Sequence, residues 1–326
     1  MYAPDGERIV TGSDDHTARI WDASSADLAA QVTWAEAALF DPLRAEERSL
    51  LGIADPTTAR HWPAPRSKCD ESAAAPYDPD RRAPGILMPR IVITVASQAC
   101  DGVERASEDA RMRYQHGRAL MASADFARAS DDFERAIAHG YRVARVDLAM
   151  LLSRITTAPP DVPRALSLLD QAWKDGVTVA AFELGRLYEH GVTRSGERTE
   201  YLLAPDEKQA WSWYRMAADA GEPNSLQRYA DWEQEAAISE ANIEKKRAHW
   251  LASFRYYAAA AERARIEDWP DDALRNWRYC RASLARLLAR EGMMREIANT
   301  YSAVRKQYAP PATTWQRLTS FLGMNH

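Results

Sequence analysis

The sequence predicts a mainly α protein, a solenoid of α-α hairpins with a short β-hairpin before it. The first observation is a triplet of small, bulky and small residues whose spacings of four and three place all three on one helix face. The second is its recurrence at intervals of about 36 to 45 residues, which is typical of stacked helical hairpins. The third is a stretch of alternating residues and turn signals near the N-terminus. The triplets are Ala129, Phe133 and Ala136; Ala165, Leu169 and Ala172; Ala210, Tyr214 and Ala217; Ala252, Tyr256 and Ala259; and the degenerate Ile297, Tyr301 and Val304.

Length and composition narrow the function classes. The 326 residues include 42 basic and 47 acidic side chains, giving a net charge of -5. This charge gives no electrostatic reason to expect nucleic acid or an anionic membrane as the main partner. The apolar runs are too short to span a membrane, and the N-terminus lacks the charged-then-apolar layout of a signal peptide. The sequence therefore predicts a soluble, cytoplasmic chain with no nucleic-acid partner and no membrane partner.

Residues 1–33 differ in character from the rest. Arg8 to Ser13 and Thr17 to Asp22 alternate as two short strands joined by a turn. The run from Tyr2 to Asp22, with its terminal Trp21-Asp22, closely resembles one repeat of a WD-repeat β-propeller. A single blade cannot bury its faces, because a propeller core lies between neighbouring blades. The resemblance therefore implies a partial blade, either the end of a longer propeller protein or the product of a misplaced or truncated gene start.

Residues 34–103 are predicted to be a Pro-rich linker with one short helix, Trp34 to Leu51. The prolines between Pro56 and Pro89 are too dense for regular structure. The segment from Cys69 to Gly85, followed by Cys100, resembles a lead-in of bacterial proteins that carry tetratricopeptide-type repeats. The first half of this linker also resembles the region after the propeller in large bacterial NTPase or caspase-like proteins with WD repeats.

The three cysteines are too few for a disulfide scaffold or a four-ligand zinc site. Cys280 lies in an apolar helical context and is predicted to be a small core residue. Cys69 and Cys100 flank a Pro-rich stretch and could pair in an exported protein, whereas the missing export signal favours reduced thiols. The pairing stays open, with reduced thiols preferred.

Residues 104–309 are predicted to form helical hairpins. Gly140 and Gly176 close the first two as helix C-caps. Residues 310–326 are predicted to be a capping helix, since a terminal repeat must cover its apolar face. The predicted helix pairs are Arg111–Ala122 with Ala127–His139, Val143–Ser153 with Val162–Lys174, Ala181–Val192 with Ala210–Gly221, Ser225–Glu235 with Asn242–Arg263, and Asp271–Arg290 with Met293–Tyr308.

The third pair carries the most specific motif. Its first helix contains Leu184-Gly185-Arg186-Leu187-Tyr188, and its second contains Trp213-Tyr214 followed by Ala217-Ala218 and Gly221. This pair resembles the Sel-one-like subfamily of tetratricopeptide repeats. The resemblance implies that Gly185 lies where two helices cross closely and that Trp213 and Tyr214 fill the space between hairpins. The fourth and fifth pairs depart from the pattern, because Ala230 and Ala285 replace the glycine.

No catalytic constellation is visible in the sequence. Nucleophilic catalysis needs a Cys or Ser beside a His and an orienting carboxylate. Glu189-His190 lacks the further ligands of a metal site, and no Gly-rich segment ends in Gly-Lys-Ser or Gly-Lys-Thr as a phosphate loop does. The sequence therefore predicts a protein that is not an enzyme and has no cofactor and no metal. The histidines inside the repeats are interpreted as groove or surface residues: His116, His139, His190 and His249.

A ligand groove is the remaining functional feature. The resemblance to tetratricopeptide arrays implies that the first helix of each hairpin lines a concave face, where exposed positions beside the small consensus residue meet a ligand. Arginines beside aromatic residues suit an extended acidic or aromatic peptide. Carried over by position, the groove residues are Tyr114, Arg118, Met121, Met150, Phe182, Arg186, Glu189 and His190, with Arg228 and Trp232 in the fourth pair.

The sequence thus predicts a non-enzymatic scaffold that binds a protein or peptide in this groove. The alternative is the C-terminal sensory or regulatory arm of a larger WD-repeat NTPase or caspase-like signalling protein. The genomic DNA upstream of Met1 discriminates the two, because an open frame with further Trp-Asp blades favours the arm and a nearby stop codon favours the free-standing scaffold. A third hypothesis, an enzyme, requires a deep polar pocket between hairpins.

Overall fold

The computed structural model describes residues 67–101, 109–153, 160–194, 200–267 and 269–308, together with strands at 8–12 and 18–22. Over these residues the protein is mainly α, as the sequence predicts. None of the helices described is long and apolar enough to cross a membrane. In chain order the elements are β1 (Arg8–Gly12), β2 (Ala18–Asp22), α1 (Lys68–Ala73), a 3-10 turn (Met88–Arg90), α2 (Ile93–Cys100), α3 (Ala110–Ala122), α4 (Phe126–Ala138), α5 (Ala144–Leu152), α6 (Val162–Lys174), α7 (Val179–His190), β3 (Val192–Arg194), β4 (Glu200–Leu203), α8 (Glu207–Asp219), α9 (Pro223–Ser239), α10 (Ile243–Ile266), α11 (Asp271–Arg290) and α12 (Met294–Tyr308).

The two predicted N-terminal strands are present. β1 and β2 pair in antiparallel orientation, with Arg8 opposite Asp22 and Gly12 opposite Ala18. The assignment of this β-hairpin to a propeller blade remains a prediction. The predicted helix from Trp34 to Leu51 and the capping helix at 310–326 lie outside the described residues.

Three consecutive helix pairs form the centre of the array. α3 and α4, α5 and α6, and α7 and α8 are hairpins, and each hairpin contacts the next in chain order. An aspartate before each of α3, α4, α6 and α8 accepts a hydrogen bond from a backbone amide of the first turn, which favours helix initiation there. These caps are Asp109, Asp125, Asp161 and Asp206. Gly140 and Gly176 follow α4 and α6 with φ of +82° and +83°, which confirms that they end these helices.

The first three triplets and the fifth are buried, which confirms them as core faces. The fourth differs by one residue. Ala252 and Tyr256 are only half-buried, whereas Ser253 and Tyr257 are buried. The Ser253 hydroxyl donates to the Ala230 carbonyl at 2.8 Å. Helix α10 is therefore turned by one position relative to the predicted register, because a polar contact to α9 sets its rotation.

Glycines at two helix crossings let the backbones approach closely. A Cβ atom added to Gly117 would lie 2.7 Å from Cε1 of Phe133, and one added to Gly185 would lie 2.5 Å from Cδ1 of Tyr214. Both distances are too short for carbon atoms in contact. The predicted close crossing at Gly185 is confirmed, and Gly117 makes the same crossing in the first hairpin.

The structure corrects the linker prediction for residues 67–101. This segment contains α1, the 3-10 turn and α2, and it packs against α3. We call residues 67–91 the strap. Its buried residues include Ala73, Ala74 and Ala75, which are small enough for a chain without regular structure to lie close against a helix. The prolines prevent extended regular structure but permit an irregular path that side chains of the hairpins hold in place.

Cys69 of α1 and Cys100 of α2 form a disulfide. The preference for reduced thiols is therefore wrong for this pair. Both cysteines are fully buried beside Ala73, Ala96 and Ala119. The spacing of 31 residues did not reveal the pairing, because the folded path of the strap brings the two ends together.

The helical part divides into two compact units: residues 67–229 with 259–276, and residues 230–258 with 277–308. In the second unit, His249 and Glu233 pair at 2.7 Å between α10 and α9. Arg281 of α11 donates to the hydroxyl of Tyr301 on α12 at 3.0 Å. Cys280, predicted as a core residue, is half-buried.

Candidate peptide-binding face

The strap covers the groove positions predicted on α3. Tyr114 and Arg118 are completely buried, and Met121 is buried as well. Nη1 of Arg118 donates to the carbonyl of Ala73 at 2.7 Å, and Nη2 donates to the carbonyl of Ile86 at 2.9 Å. These three residues were expected to meet a ligand, but all three are buried, and Arg118 bonds the chain's own strap instead.

The N-terminal end of the strap is anchored through the buried carboxylate of Asp70. Ser67 and Asp70 form a capping box at the start of α1. The same carboxylate accepts a hydrogen bond from Nε2 of Gln115 at 2.8 Å and forms an ion pair with Arg111. A buried charge needs such compensation, since an unpaired carboxylate in the interior is strongly unfavourable. Asp70 therefore ties α1 to α3.

A second buried carboxylate, Asp147 of α5, joins the strap to two hairpins. It accepts a hydrogen bond from the Tyr77 hydroxyl of the strap at 2.9 Å and one from the Tyr114 hydroxyl of α3 at 2.5 Å. The pKa of both tyrosines is raised, mainly by burial and secondly by the negative charge of Asp147. The two hydroxyls consequently remain protonated donors at neutral pH.

The middle of the strap contacts the loop before α5. Asp78 is buried and accepts a hydrogen bond from the Tyr141 hydroxyl at 2.6 Å and one from the Asp80 amide at 2.9 Å. Burial raises the pKa of Asp78 to about 6, against the opposing effect of these hydrogen bonds. Asp80 itself lies 3.4 Å from Arg142 at the surface.

The corresponding face of the third hairpin is partly open. Arg186 directly follows Gly185, as Arg118 directly follows Gly117. Its side chain is 39% exposed and lies 3.2 Å from the largely buried carboxylate of Glu183. The equivalent position of two hairpins thus holds an arginine that is covered in one case and accessible in the other.

Glu189 connects α7 to the next two helices. It accepts a hydrogen bond from the Tyr214 hydroxyl of α8 at 2.6 Å and forms an ion pair with Arg228 of α9. The Arg228 guanidinium lies 5.3 Å from the centre of the Tyr214 ring, in the geometry of a cation–π contact. Burial raises the pKa of Tyr214, so its hydroxyl stays a donor. We call Glu183, Arg186, Glu189 and Arg228 the charged face.

The remaining predicted residues differ in exposure. His190 is exposed, with Nε2 3.8 Å from Glu189. Phe182 is half-buried, with its ring 5.7 Å from that of Tyr214. Met150 is half-buried and packs on the core. Trp232 is exposed and belongs to the second unit.

The prediction missed the polar residues two positions before the small residue of each hairpin. Gln115, Asp147 and Glu183 precede Gly117, Ala149 and Gly185 by this spacing. All three are buried, and the first two bind the strap. The repeated polar residue at this position was visible in the sequence. A polar side chain between core residues needs a hydrogen-bond partner, so the repeat could have indicated a segment packed against these helices.

The histidines pair mainly with carboxylates. His116, expected at a groove or surface, is buried, and its Nδ1 lies 2.5 Å from Asp132 of α4. This pair joins the two helices of the first hairpin. His139 is exposed at the end of α4. Within the ranges described, no group of three or more His, Cys, Asp or Glu residues is placed to hold a metal ion.

A cavity of about 160 Å³ lies in the first unit beside the strap. Tyr77 and Arg81 of the strap line it, together with Glu222 before α9. Burial raises the pKa of Glu222 to about 7. Its carboxylate accepts hydrogen bonds from the amides of Ser225 at 2.6 Å and Asn224 at 3.1 Å, so Glu222 serves as the N-terminal cap of α9.

No family model matches the chain, and no curated protein matches it. Several solved structures are similar to it, three of which follow. A protective antigen of uropathogenic Escherichia coli displaying an SLR fold is 11% identical with a TM-score of 0.35, and the match covers 73% of this chain and 63% of that one. A Sel1 repeat protein from Oxalobacter formigenes is 14% identical with a TM-score of 0.35, covering 72% and 93%. The Pseudomonas aeruginosa protein 5086 is 17% identical with a TM-score of 0.32, covering 79% and 94%. The assignment of helical hairpins rests on the helix packing described above.

Proposed function

We propose that the protein is a non-enzymatic repeat scaffold that binds a segment of a partner protein on the charged face. The observation that carries this proposal is the pair of arginines, Arg186 and Arg228, whose side chains are 39% and 37% exposed. Each is paired with a carboxylate on a packed helix. The two cations are therefore accessible to a ligand and already held in position.

The chemistry of this face favours a ligand with carboxylates or accessible peptide carbonyls. A guanidinium group offers several N–H donors in a fixed plane and binds such acceptors through paired hydrogen bonds. The Tyr214 ring packs against the Arg228 guanidinium at 5.3 Å and, with the ion pair to Glu189, holds a side chain that stays 37% exposed. Pre-positioned side chains lower the entropy cost of binding.

The proposal is tested by selection from a phage-displayed library of random linear peptides on the immobilised full chain. Selected peptides are expected to be rich in aspartate or glutamate, and the double variant Arg186→Glu, Arg228→Glu is expected to lose them. Arg215→Glu is the matched control, because Arg215 is exposed on α8 of the same hairpin. Circular dichroism checks that all variants keep their helicity. Equal capture by the double variant and the wild type would remove the charged face from the proposal.

A second proposal, the regulatory arm of a larger WD-repeat signalling protein, is favoured by the paired strands β1 and β2. Their antiparallel register suits the hairpin of a propeller blade. The test is the reading frame upstream of Met1. Further Trp-Asp repeats in that frame support the arm, and an in-frame stop codon close upstream contradicts it.

A further inference from the structure

The helices hold the strap largely as they would hold a peptide ligand. Arg118 donates its two hydrogen bonds to the main-chain carbonyls of Ala73 and Ile86 in the strap. Main-chain carbonyls are present in any polypeptide, so these two hydrogen bonds do not require particular side chains in the bound segment, whereas the contact of the Arg118 guanidinium with the Tyr77 ring at 5.9 Å requires an aromatic residue. The face of α3 is therefore able to bind another extended segment by the same two bonds.

Three aspartates of the strap add polar contacts to those made by Tyr77 with Asp147 and by Arg81 with the Glu267 carbonyl. Asp70 binds Gln115, Asp78 binds Tyr141, and Asp80 binds Arg142. Interfaces with this density of polar contacts are typical of partners that exchange, whereas permanent interfaces are more apolar. The occupant that fits this face is an extended segment with several carboxylates.

The disulfide retains the strap. Cys69 lies near the start of the strap, and Cys100 lies at the end of α2. Helix α2 is weakly attached, since only Ala96 and Cys100 of its eight residues are buried. Val92, Ile93 and Val95 are 60%, 45% and 54% exposed. Segments with so few buried residues open at low free-energy cost, so α2 gives a reductant access to the buried sulfur atoms.

We propose that the strap is a redox-controlled cover, and that its release turns the face of α3 and α5 into a binding site for an extended, aspartate-bearing segment of a partner protein. The reductant is a dithiol. One of its thiolates attacks a sulfur of the Cys69–Cys100 bond and forms a mixed disulfide. Its second thiolate displaces the remaining cysteine, so the dithiol leaves as a cyclic disulfide and the two cysteines take up two electrons and two protons.

This site is separate from the charged face, because Gln115, Arg118, Tyr141 and Arg142 do not belong to it. The probe is a fluorescent synthetic peptide of residues 70–91, which contains the three aspartates and no cysteine. Its binding to the full chain is measured by anisotropy before and after treatment with dithiothreitol, and with the double variant Cys69→Ser, Cys100→Ser. A released cover is expected to tighten binding at least about tenfold in both cases, because the competing segment no longer fills the site.

Three controls assign the site. Arg118→Gln in the double-serine background is expected to abolish probe binding. Arg186→Glu with Arg228→Glu is expected to leave probe binding unchanged. Failure of this proposal can therefore be told apart from failure of the charged-face proposal. A probe with its three aspartates changed to asparagine is expected to bind at least about tenfold more weakly. Hydrogen exchange is expected to show the strap amides losing protection on reduction while those of α7 keep theirs.

Several outcomes overturn the proposal. Equal probe binding by oxidised and reduced protein excludes a redox-controlled cover. If the strap amides keep their protection from hydrogen exchange after reduction, or if the reduced chain loses its helicity, the disulfide serves stability alone. A dimer that forms on reduction, detected by light scattering, identifies the strap of a second copy as the occupant in place of a partner protein.

Discussion

The first and third hairpins have the same residue arrangement on their first helices and opposite exposure. In each, a polar residue stands two positions before a close-packed glycine, and an arginine follows the glycine. Gln115 and Arg118 are bound to the strap. Glu183 and Arg186 are bound to each other and partly open. What lies over the face decides whether an equivalent residue is structural or available to a ligand.

The comparison also explains why both arginines were grouped as groove residues. An arginine next to the packed glycine points away from the hairpin core in both cases. In the first hairpin the strap buries it, and two strap carbonyls accept hydrogen bonds from its Nη1 and Nη2. In the third hairpin, Glu183, one helical turn before Arg186, forms an ion pair with the arginine.

The largest expected effect concerns the feature that the hairpins share. Gly185→Val and Gly117→Val each place a branched side chain against a buried ring at under 3 Å. Overpacking of this kind is expected to destabilise the fold by at least about 4 kcal/mol. The measurement is thermal denaturation followed by circular dichroism, with His190→Val as an exposed control on the same helix as Gly185. Equal destabilisation by the control would show that helix propensity, not the crossing, is responsible.

The disulfide is expected to have the next largest effect, confined to the strap and the hairpins that it contacts. Cys69→Ser with Cys100→Ser removes a loop closed over 31 residues, worth about 3.5 kcal/mol in the chain-entropy treatment. Hydrogen exchange should show faster opening of α1 to α4, while the amides of α7 and α8 exchange as before. Uniform acceleration along the chain would contradict a local role.

The two arginines provide the most direct test of the comparison. Arg118→Ala removes the donor of two hydrogen bonds, a buried one to the Ala73 carbonyl and a part-buried one to the Ile86 carbonyl, and is expected to cost about 3 kcal/mol. Arg186→Ala removes a partly exposed pair and is expected to cost less than about 0.5 kcal/mol. Urea denaturation of the two variants measures both values. Similar costs would mean that the strap does not depend on Arg118.

The smallest expected effect is the pH dependence of the strap. Burial raises the pKa of Asp78 to about 6, and the charge of Asp80 adds to it, whereas Tyr141 and Arg81 oppose it. The folded state therefore retains a proton that the unfolded chain has lost, and stability falls as pH rises from about 4 to about 6.

When the pH is lowered from 7 to 5, the wild type is expected to gain about 1 to 2 kcal/mol in its free energy of unfolding through Asp78. The variant Asp78→Asn is expected to lack this gain. Thermal denaturation at both pH values measures it. Glu222, with its pKa raised to about 7, contributes in the same direction in both proteins, so the difference between them isolates Asp78. An unchanged pH dependence in the variant would show that Asp78 ionises normally.

The helical hairpins were predictable because their signals are local. The spacing of the small and bulky residues, the capping aspartates and the glycines after α4 and α6 act within one helix or one turn. The rotation of α10 was not predictable to one residue, because a hydrogen bond from Ser253 to Ala230 of another helix sets it. The candidate site was predictable only in part: Arg186, Glu189 and Arg228 are accessible, while Tyr114 and Arg118 are buried.

The sequence by itself determined the hairpin array, the close crossing at Gly185, and the paired strands near the N-terminus. Only the tertiary structure decided that a proline-rich segment is a strap, that Cys69 and Cys100 are bonded, and that Arg118 is covered. The physical reason is the range of the interactions. Helix periodicity and capping depend on neighbours within a few positions, whereas the strap is held by hydrogen bonds between residues more than 30 positions apart. Examples are Arg118 with Ile86 at a separation of 32 and Tyr77 with Asp147 at a separation of 70.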